Sequence, residues 1–559
     1  MKSFRVSLLF LAAISVHAQI VVNEIMYNPA SHDVREEWVE LLNVSATNVN
    51  LSGWTISGGI DFKFPTNTIL QSGKYLVVAA HQPTFANKFP LVTNVVGSWV
   101  NIGVLNLNGR LLTNFAPVLS NSRNAINLNN AAGDRVDSVT YSDAGDWATR
   151  RLEPADGYNR RGWGWYSGAD GGGCSLELRN PALPNQYGQN WTSSPTNNPT
   201  PGRANFAATN NIPPIVAEVN HAPIIPRSSD AVTITARVID ESPAGLTVNL
   251  YSRIDSGSPP SFAPSQMFDD GNHNDASPND GIYGIVLLPM GNNTLVEYYV
   301  EAVDAQGRVR SWPAPTADSA SAHGANAMFQ VDDVTYSGVP PTYKLIMTTA
   351  QQTELGSIFN SSAGSDSQVN ATFISIDGTG VDLRHLCGVR NRGHGSRGST
   401  PHNYRINFPD DNPWKNASGF NINAQVVSAQ VIGAAIAQKA GAAGNRSRFI
   451  QLKVNNGAGP GGTPASGLYA GNEDVGSDWA ERQFPNDSGG NTYAVYRDIA
   501  PPNFNYRGED PNSYRNTYFK ESNVAEDNWQ DLIGMLSVMG ENQTNLFDID
   551  MARVVVNVE

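Results

Sequence analysis

Short runs in which polar and apolar residues alternate are the dominant pattern along this chain. Residues 37–43 (EWVELLN) alternate charged and apolar side chains, and residues 295–304 do the same. A period of two predicts half-buried β-strands. Turn signals such as Ser72-Gly73 separate the runs, and strands joined by frequent turns indicate sandwiches. We therefore expect a mainly β, multidomain protein.

Helical periodicity is confined to the C-terminal part. Val427, Val431, Ala434 and Ala435 recur at helical spacing within residues 424–440, before Gly441. A second such pattern predicts a helix over about 523–539. Since strands flank both patterns, we expect the last domain to be α+β.

The N-terminus carries the pattern of a secretory signal. Lys2 and Arg5 precede a short apolar run, and Val16 and Ala18 place small residues before Gln19. The run is shorter than the roughly 20 residues that span a bilayer. We expect residues 1–18 to be removed and the protein to be exported to the periplasm, cell surface or exterior. No later segment is apolar enough to predict a transmembrane span.

Composition supports the β assignment and narrows the function. Of 559 residues only 16% are charged, while 51 are Gly and 34 are Pro, which suits many turns. The formal charge of −14 argues against nucleic acid as a partner and suits cations. Cys174 and Cys387 lie far apart, and we expect both to be buried free thiols.

Residues 19–206 contain several motifs in a fixed order: NEIMYNP, EEWVELLN, NLSGW, SGKYLVVAA and TPGRAN. In this they resemble the lamin-tail domain, which is appended to many secreted bacterial proteins. The resemblance implies an immunoglobulin-like sandwich with an adhesion or scaffolding role and no chemistry. Glu24, Glu37 and Glu40 could form a carboxylate set, but we expect them to be solvated or to cap strand edges.

Residues 214–331 predict a second sandwich of the immunoglobulin or fibronectin-III type, with one unusual loop. The loop is dense in oxygen ligands at Asp269, Asp270, Asn272, Asn274, Asp275 and Asp280. Calcium takes roughly six to eight such oxygens, although the loop lacks the final Glu of an EF-hand. A hairpin rich in Asx turns without metal is the alternative. Both interpretations stay open at this point.

Residues 340–559 form a third domain, and a basic segment within it is a candidate phosphate site. A glycine-rich stretch at 388–400 lies between two predicted strands. Backbone N–H groups and arginine side chains in such a loop can hold phosphates, and the loop is not a Walker A motif. A basic hairpin is the alternative. The candidate nucleotide-binding residues are Arg390, Arg392, Ser396, Arg397 and Arg405.

The surrounding segments GVRNRGHGSR, NYRINF and GLYAGNEDV resemble the CotH family of spore-coat proteins, which are atypical secreted protein kinases. The resemblance implies ATP with Mg²⁺ or Mn²⁺ and an extracellular protein as phosphate acceptor. It also makes Glu473 a candidate for the glutamate that positions the phosphate-binding cation or metal.

Two departures from the family pattern bear on activity. Thr400-Pro401-His402-Asn403 stands where the family often has lysines. The family's two catalytic aspartates would lie beyond Glu559, and we interpret Asp548 and Asp550 as loop acids. We therefore expect this chain to carry the nucleotide-binding half of a kinase domain and to lack catalysis by itself. The alternative function is a non-catalytic surface adhesion or scaffold protein.

Overall fold

The computed structural model describes residues 19–100, 104–107, 110–113, 118–256, 258–317, 324–393, 395–456, 466–484, 490–495, 505–522, 524 and 527–539. The predicted signal at 1–18, and Asp548 and Asp550, lie outside these residues. In the described part no helix has the length and apolarity needed to cross a membrane.

The first domain is a sandwich built from two antiparallel-rich sheets, as predicted. One sheet has the order β16-β15-β1-β2-β7-β8 and the other β12-β11-β4-β5. Inward residues of both, such as Val39 and Ile126, share one core. The strands are β1 (Ile20–Met26), β2 (Trp38–Asn43), β3 (Val49–Asn50), β4 (Thr55–Gly58), β5 (Phe62–Lys63), β6 (Ile69–Leu70), β7 (Tyr75–Ala79), β8 (Val95–Gly97), β9 (Val104–Leu107), β10 (Arg110–Thr113), β11 (Arg123–Asn129), β12 (Arg135–Ser142), β13 (Thr149–Leu152), β14 (Trp163–Tyr166), β15 (Leu176–Leu178) and β16 (Trp191–Ser193), with helix α1 at Gln82–Lys88.

Three glutamates lie side by side across this first sheet, because Glu24 pairs with Glu177 on one neighbouring strand and with Glu40 on the other. All three are buried, so the expectation that Glu24 and Glu40 are solvated is wrong; Glu37 is buried as well. Burial raises the pKa of Glu24 to about 7 and that of Glu40 well above its usual range.

The segment 200–207 covers these carboxylates and supplies donors to each. The backbone N–H of Thr200 donates to Glu24 at 2.8 Å, and that of Ala207 donates to Glu177 at 2.9 Å. The N–H of Gly202 donates to Glu40 at 2.5 Å. Buried carboxylates are tolerated when they are hydrogen-bonded in this way. The TPGRAN motif therefore has a structural role, since its backbone N–H groups bind the buried glutamates.

The second domain is also a sandwich, with sheet orders β17-β18-β21 and β20-β19-β22-β23, and with β24 paired to β22. Its core contains Ile234, Leu250 and Phe329. The strands are β17 (Ile215–Ala222), β18 (Val232–Ile239), β19 (Thr247–Ile254), β20 (Ala263–Gln266), β21 (Ile282–Leu287), β22 (Leu295–Val303), β23 (Val309–Trp312) and β24 (Ala327–Gln330).

The third domain is built on a closed barrel in the order β25-β26-β27-β28-β29-β31-β30. Aromatic and aliphatic residues such as Tyr343, Phe373 and Phe420 fill it. The strands are β25 (Thr342–Ile346), β26 (Val369–Asp377), β27 (Gly380–Asn391), β28 (Tyr404–Asn407), β29 (Gly419–Asn423), β30 (Ser447–Val454), β31 (Ser466–Glu473), β32 (Tyr493–Val495) and β33 (Tyr518–Lys520). The helices are α2 (Thr349–Ser361), α3 (Val427–Lys439), α4 (Ser477–Gln483) and α5 (Gln530–Met539).

The helix predicted at 424–440 is present as α3, but no residue of it is buried. Ile432 and Ile436 are more than half exposed. Helix α5 covers the second half of the stretch predicted at 523–539. Its Leu532 and Ile533 pack with Tyr514 in a separate small cluster.

Buried polar groups join the second domain to the barrel. Lys344 of β25 forms an ion pair with Asp332, and both side chains are almost fully buried. The Tyr298 hydroxyl lies 3.3 Å from a ring nitrogen of His221 and 3.3 Å from one of His385. Burial lowers the pKa of His221 to about 4 and that of His385 below its usual range. Both imidazoles are therefore neutral at pH 7.

Four aspartates join the first domain to the barrel: Asp143 and Asp146 meet Asp410 and Asp411. The N–H of Asp146 donates to Asp411 at 2.8 Å. Asp143 and Asp410 lie close enough for their charges to interact, since burial and the negative charge of Asp410 both raise the pKa of Asp143. Burial raises the pKa of all four groups.

The other charges that act on this cluster are of both signs. Asp170 and Asp478 raise the pKa of Asp143 and Asp410 respectively, and Arg123 lowers that of Asp410. Arg310 lowers the pKa of Asp146. Because the folded pKa values remain above the unfolded value near 4, the stability from these groups is present at acid pH and is lost as pH rises through the folded values.

We predict that Asp143→Asn increases the free energy of unfolding at pH 8 and so raises the melting temperature. The substitution removes a carboxyl whose pKa is raised in the folded state, and each pKa unit of that rise corresponds to about 1.4 kcal/mol. The gain should shrink at pH 5, because pH 5 lies close to the unfolded pKa near 4 and the raised pKa of Asp143 costs little stability there. Calorimetry at both pH values measures this, with exposed Asp61→Asn as the control. An equal gain at both pH values would contradict the raised pKa of Asp143.

Candidate functional site

Four neighbouring strands of the barrel present apolar side chains inward and polar side chains outward. Val389 and Ile406 lie in the core. The alternate residues of the same strands form cross-strand pairs, Arg390 with Arg405 and Arg405 with Asn421. Because side chains alternate along a strand, these residues share the outer face of β27, β28 and β29. We call the set Arg390, Arg392, Arg405, Asn421, Asn423 and Asp474 the arginine face.

Arg405 lies at the centre of the arginine face. Its guanidinium forms an ion pair with Asp474 and donates to Asn407 at 2.8 Å. The amide of Asn421 donates to the same Asp474 oxygen at 3.0 Å. Burial works to raise the pKa of Asp474, but Arg405 and Asn421 outweigh it and hold the pKa below its usual range. Asp474 therefore stays ionised.

Arg390 carries the positive charge to the edge of this face. It pairs with Asp366, which follows α2 and is largely exposed. Burial lowers the pKa of Arg390, and the positive charges of Arg405, Arg397 and Arg392 lower it further. The negative charge of Asp366 acts in the opposite direction and raises it. The face is thus a site where positive charge accumulates.

Two of the predicted phosphate ligands hold the glycine-rich loop in place. Arg397 donates to the carbonyl oxygens of Gly364 and Ser365, both at 3.1 Å, and to Asp366 at 2.7 Å. The Ser396 hydroxyl accepts from the Asn403 amide at 2.9 Å. The structure therefore gives Arg397 and Ser396 contacts that anchor the loop to its surroundings.

Glu473, the predicted positioning glutamate, pairs with Arg482. Both carboxylate oxygens accept from that guanidinium, at 2.7 and 2.6 Å, and one also accepts from the N–H of Arg446. The next residue, Asp474, is the carboxylate that meets the arginine face. Alternation along the strand accounts for the position of Asp474. Asn472 pairs with Asn421, and Asp474, two residues after Asn472, lies on the same side of the sheet.

The loop between β27 and β28 contains a second signal that spacing alone could have revealed. Gly393, Gly395 and Gly398 form the pattern G-x-G-x-x-G. Gly393 has a φ of 104°, which favours glycine. In protein kinases a loop of this pattern covers the ATP phosphates.

The order of elements around that loop has the same parallel. After β27, the loop, β28 and β29, helix α3 precedes β30 and β31, and the sheet order is β27-β28-β29-β31-β30. Protein kinases carry a phosphate-binding Lys on a strand that follows the glycine-rich hairpin, and it pairs with a Glu of the next helix. Here that strand is β29 and that helix is α3.

The oxygen-rich loop of the second domain is organised by its own carboxylates. The buried Asp275 accepts from the backbone N–H groups of Asp270 at 2.5 Å, Gly271 at 2.7 Å and His273 at 3.0 Å. Asp269 accepts from the N–H groups of Asp280 and Gly281. Of the other predicted ligands, Asn272 donates to the Asp270 carbonyl and Asn274 to Thr233.

These bonds form the Asx-turn arrangement. In the described ranges, no group of three or more His, Cys, Asp or Glu residues is arranged to hold a metal ion. Calcium binding at the loop stays a prediction. Cys174 and Cys387 are both buried and free.

Comparison with known proteins identifies two parts of the chain. The family model of the lamin tail domain matches residues 14–143, and that of the CotH kinase protein matches residues 389–552. The chain thus combines a lamin-tail domain with a CotH kinase domain, and the second match contains the whole arginine face. No curated protein matches the chain.

We predict that Asp275→Ala destabilises the second domain by about 1–3 kcal/mol, because it removes a charged acceptor that takes three backbone hydrogen bonds. The exposed Asn272→Ala should have little effect. Thermal melting measures both changes.

The same measurement in calcium and in EDTA tests the metal. A calcium site would raise the wild-type melting temperature in calcium, and Asp275→Ala would remove the rise. Equal wild-type melting in both buffers would leave the turn-rich hairpin as the explanation.

Proposed function

We propose that this protein binds ATP on its arginine face and that it serves as a protein kinase acting on extracellular or envelope proteins. One observation carries the proposal: Arg390, Arg392 and Arg405 converge beside a G-x-G-x-x-G loop. The CotH kinase match over 389–552 supports it.

The chemistry of the face favours phosphate. Guanidinium groups bind phosphate oxygens through two parallel hydrogen bonds, and they remain charged at any physiological pH. The chain as a whole carries −14, so a cluster of arginines is a local reversal of its charge. Burial is the main cause of the lowered pKa of Arg390, and the neighbouring arginines add to it; a bound triphosphate would relieve that second effect.

The described residues do not by themselves fit Mg²⁺ or Mn²⁺. Such ions take several oxygen ligands, mostly from carboxylates, phosphates and water. On the arginine face the available carboxylate is Asp474, and it is neutralised by Arg405. We therefore derive no metal-dependent step from these residues. Phosphate transfer needs carboxylates for the metal and for the accepting hydroxyl in addition to this face.

We predict that the protein binds ATP in solution and that Arg405→Gln or Arg390→Gln weakens binding by about ten- to a hundredfold, since each removes charge-assisted bonds of about 1.5–3 kcal/mol. Isothermal titration measures the affinity, and melting curves confirm folding. Arg237→Gln is the matched control, because it removes an arginine that also forms an ion pair, with Glu218, but lies in the second domain away from the arginine face.

The same samples separate kinase from scaffold. Binding of ATP by the wild type, lost in the two face variants, supports the kinase function. Absence of ATP binding by well-folded wild-type protein would favour the non-catalytic adhesion or scaffold function.

We also propose that the protein is exported and that residues 1–18 are its signal. The charged start, apolar run and small residues before Gln19 support this. N-terminal sequencing of protein recovered outside the cytoplasm should begin at Gln19. Material from the exterior that still begins at Met1 would contradict the proposal.

A further inference from the structure

Gln430, the fourth residue of α3, contacts two neighbouring strands of the barrel, β29 and β31. Its carbonyl oxygen accepts from the Asn423 amide at the end of β29 and from the Asn472 amide of β31, both at 2.7 Å. Its amide nitrogen donates to the backbone carbonyl of Gln425, also at 2.7 Å. One side chain therefore ties the helix to two strands of the arginine face.

The direction of every bond in this set is fixed. A backbone carbonyl only accepts, so the amide nitrogen of Gln430 must face Gln425 and its oxygen must face the two asparagines. Asn423 consequently donates through its nitrogen and presents its oxygen outward. That oxygen accepts from Nη1 of Arg392 at 2.6 Å. The chain of bonds thus ends by orienting a guanidinium.

These hydrogen bonds lie where protein kinases have an ion pair between a strand and a helix. Protein kinases use a Lys on the strand and a Glu on the helix at the corresponding elements, and the Lys contacts the phosphates. Here the strand supplies Asn423 and the helix supplies Gln430, so neither carries a charge. The cation enters instead from the end of β27, one residue before the glycine-rich loop.

We infer that Arg392 contacts the ATP phosphates in addition to Arg390 and Arg405, and that Asn423 and Gln430 are positioning residues that hold the Arg392 guanidinium. The inference rests on the proposed function and names a residue of that same site. The charge of Arg392 reaches the rest of the face, since it acts on both Arg390 and Asp474.

An amide pair differs from an ion pair in one measurable way. Neither Asn423 nor Gln430 can gain or lose a proton at accessible pH, whereas the Glu of an ion pair is neutralised in acid. The hold on Arg392 should therefore survive at pH values at which a carboxylate of ordinary pKa, near 4, begins to protonate.

The first test compares ATP with adenosine by titration calorimetry. Arg392→Ala should weaken ATP by about ten- to a hundredfold and leave adenosine binding unchanged, because only ATP carries phosphates. Lys439→Ala is the control, since it removes one positive charge from the exposed end of the same helix. A merely structural role for Arg392 would weaken both ligands.

The second test is a double-mutant cycle on the positioning residues. Gln430→Leu alone should weaken ATP by about three- to tenfold, the effect of losing a neutral hydrogen bond. In the Arg392→Ala background it should have no further effect, because its action passes through that guanidinium. Melting curves of each variant confirm folding.

The outcomes separate this inference from the proposed function. If the wild type binds ATP but Arg392→Ala binds it equally well, or loses ATP and adenosine alike, Arg392 is not a phosphate contact. Additive effects of the two substitutions would overturn the positioning role of Gln430. Failure of the wild type to bind ATP at all would overturn the proposed function, and this inference with it.

Discussion

The parallel pairing of β25 with β30 is the constraint on which the third domain depends. It places Tyr343 beside Leu452 and closes the sheet into a barrel. Closure leaves each strand one inner and one outer face, and the inner face is filled by apolar side chains. The polar residues of β27, β28, β29 and β31 must then meet outside. The arginine face is a consequence of that closure.

Buried polar contacts hold the domains against one another. The Lys344–Asp332 pair, the Tyr298 hydroxyl between two neutral histidines, and the bond from the Asp146 N–H to Asp411 all lie at domain boundaries. Groups of this kind contribute geometry more than stability, because burial offsets much of their attraction. They fix the register in which the lamin-tail domain and the second sandwich meet the barrel.

Much of the fold could be predicted from alternation and motif order. The β-rich, multidomain character and helix α3 follow from periodicity. The lamin-tail and CotH assignments follow from motifs, most of which lie within the residues that the family models match, although TPGRAN lies outside them. The burial of Glu24 and Glu40 could not, because their covering segment lies more than 150 residues away in sequence. The pairing of Glu473 with Arg482 depends on a helix that follows the strand, which leaves Asp474 to face the arginines. The roles of Asn423 and Gln430 depend on hydrogen-bond direction, which only the structure reveals.

Hydrogen–deuterium exchange with and without ATP locates the ligand most directly. If the arginine face is the nucleotide site, ATP should slow exchange in the glycine-rich loop at 395–403 and in the segments 419–430 and 470–475, while the two sandwiches remain unchanged. Protection confined to the sandwiches, or no protection anywhere at saturating ATP, would contradict the account.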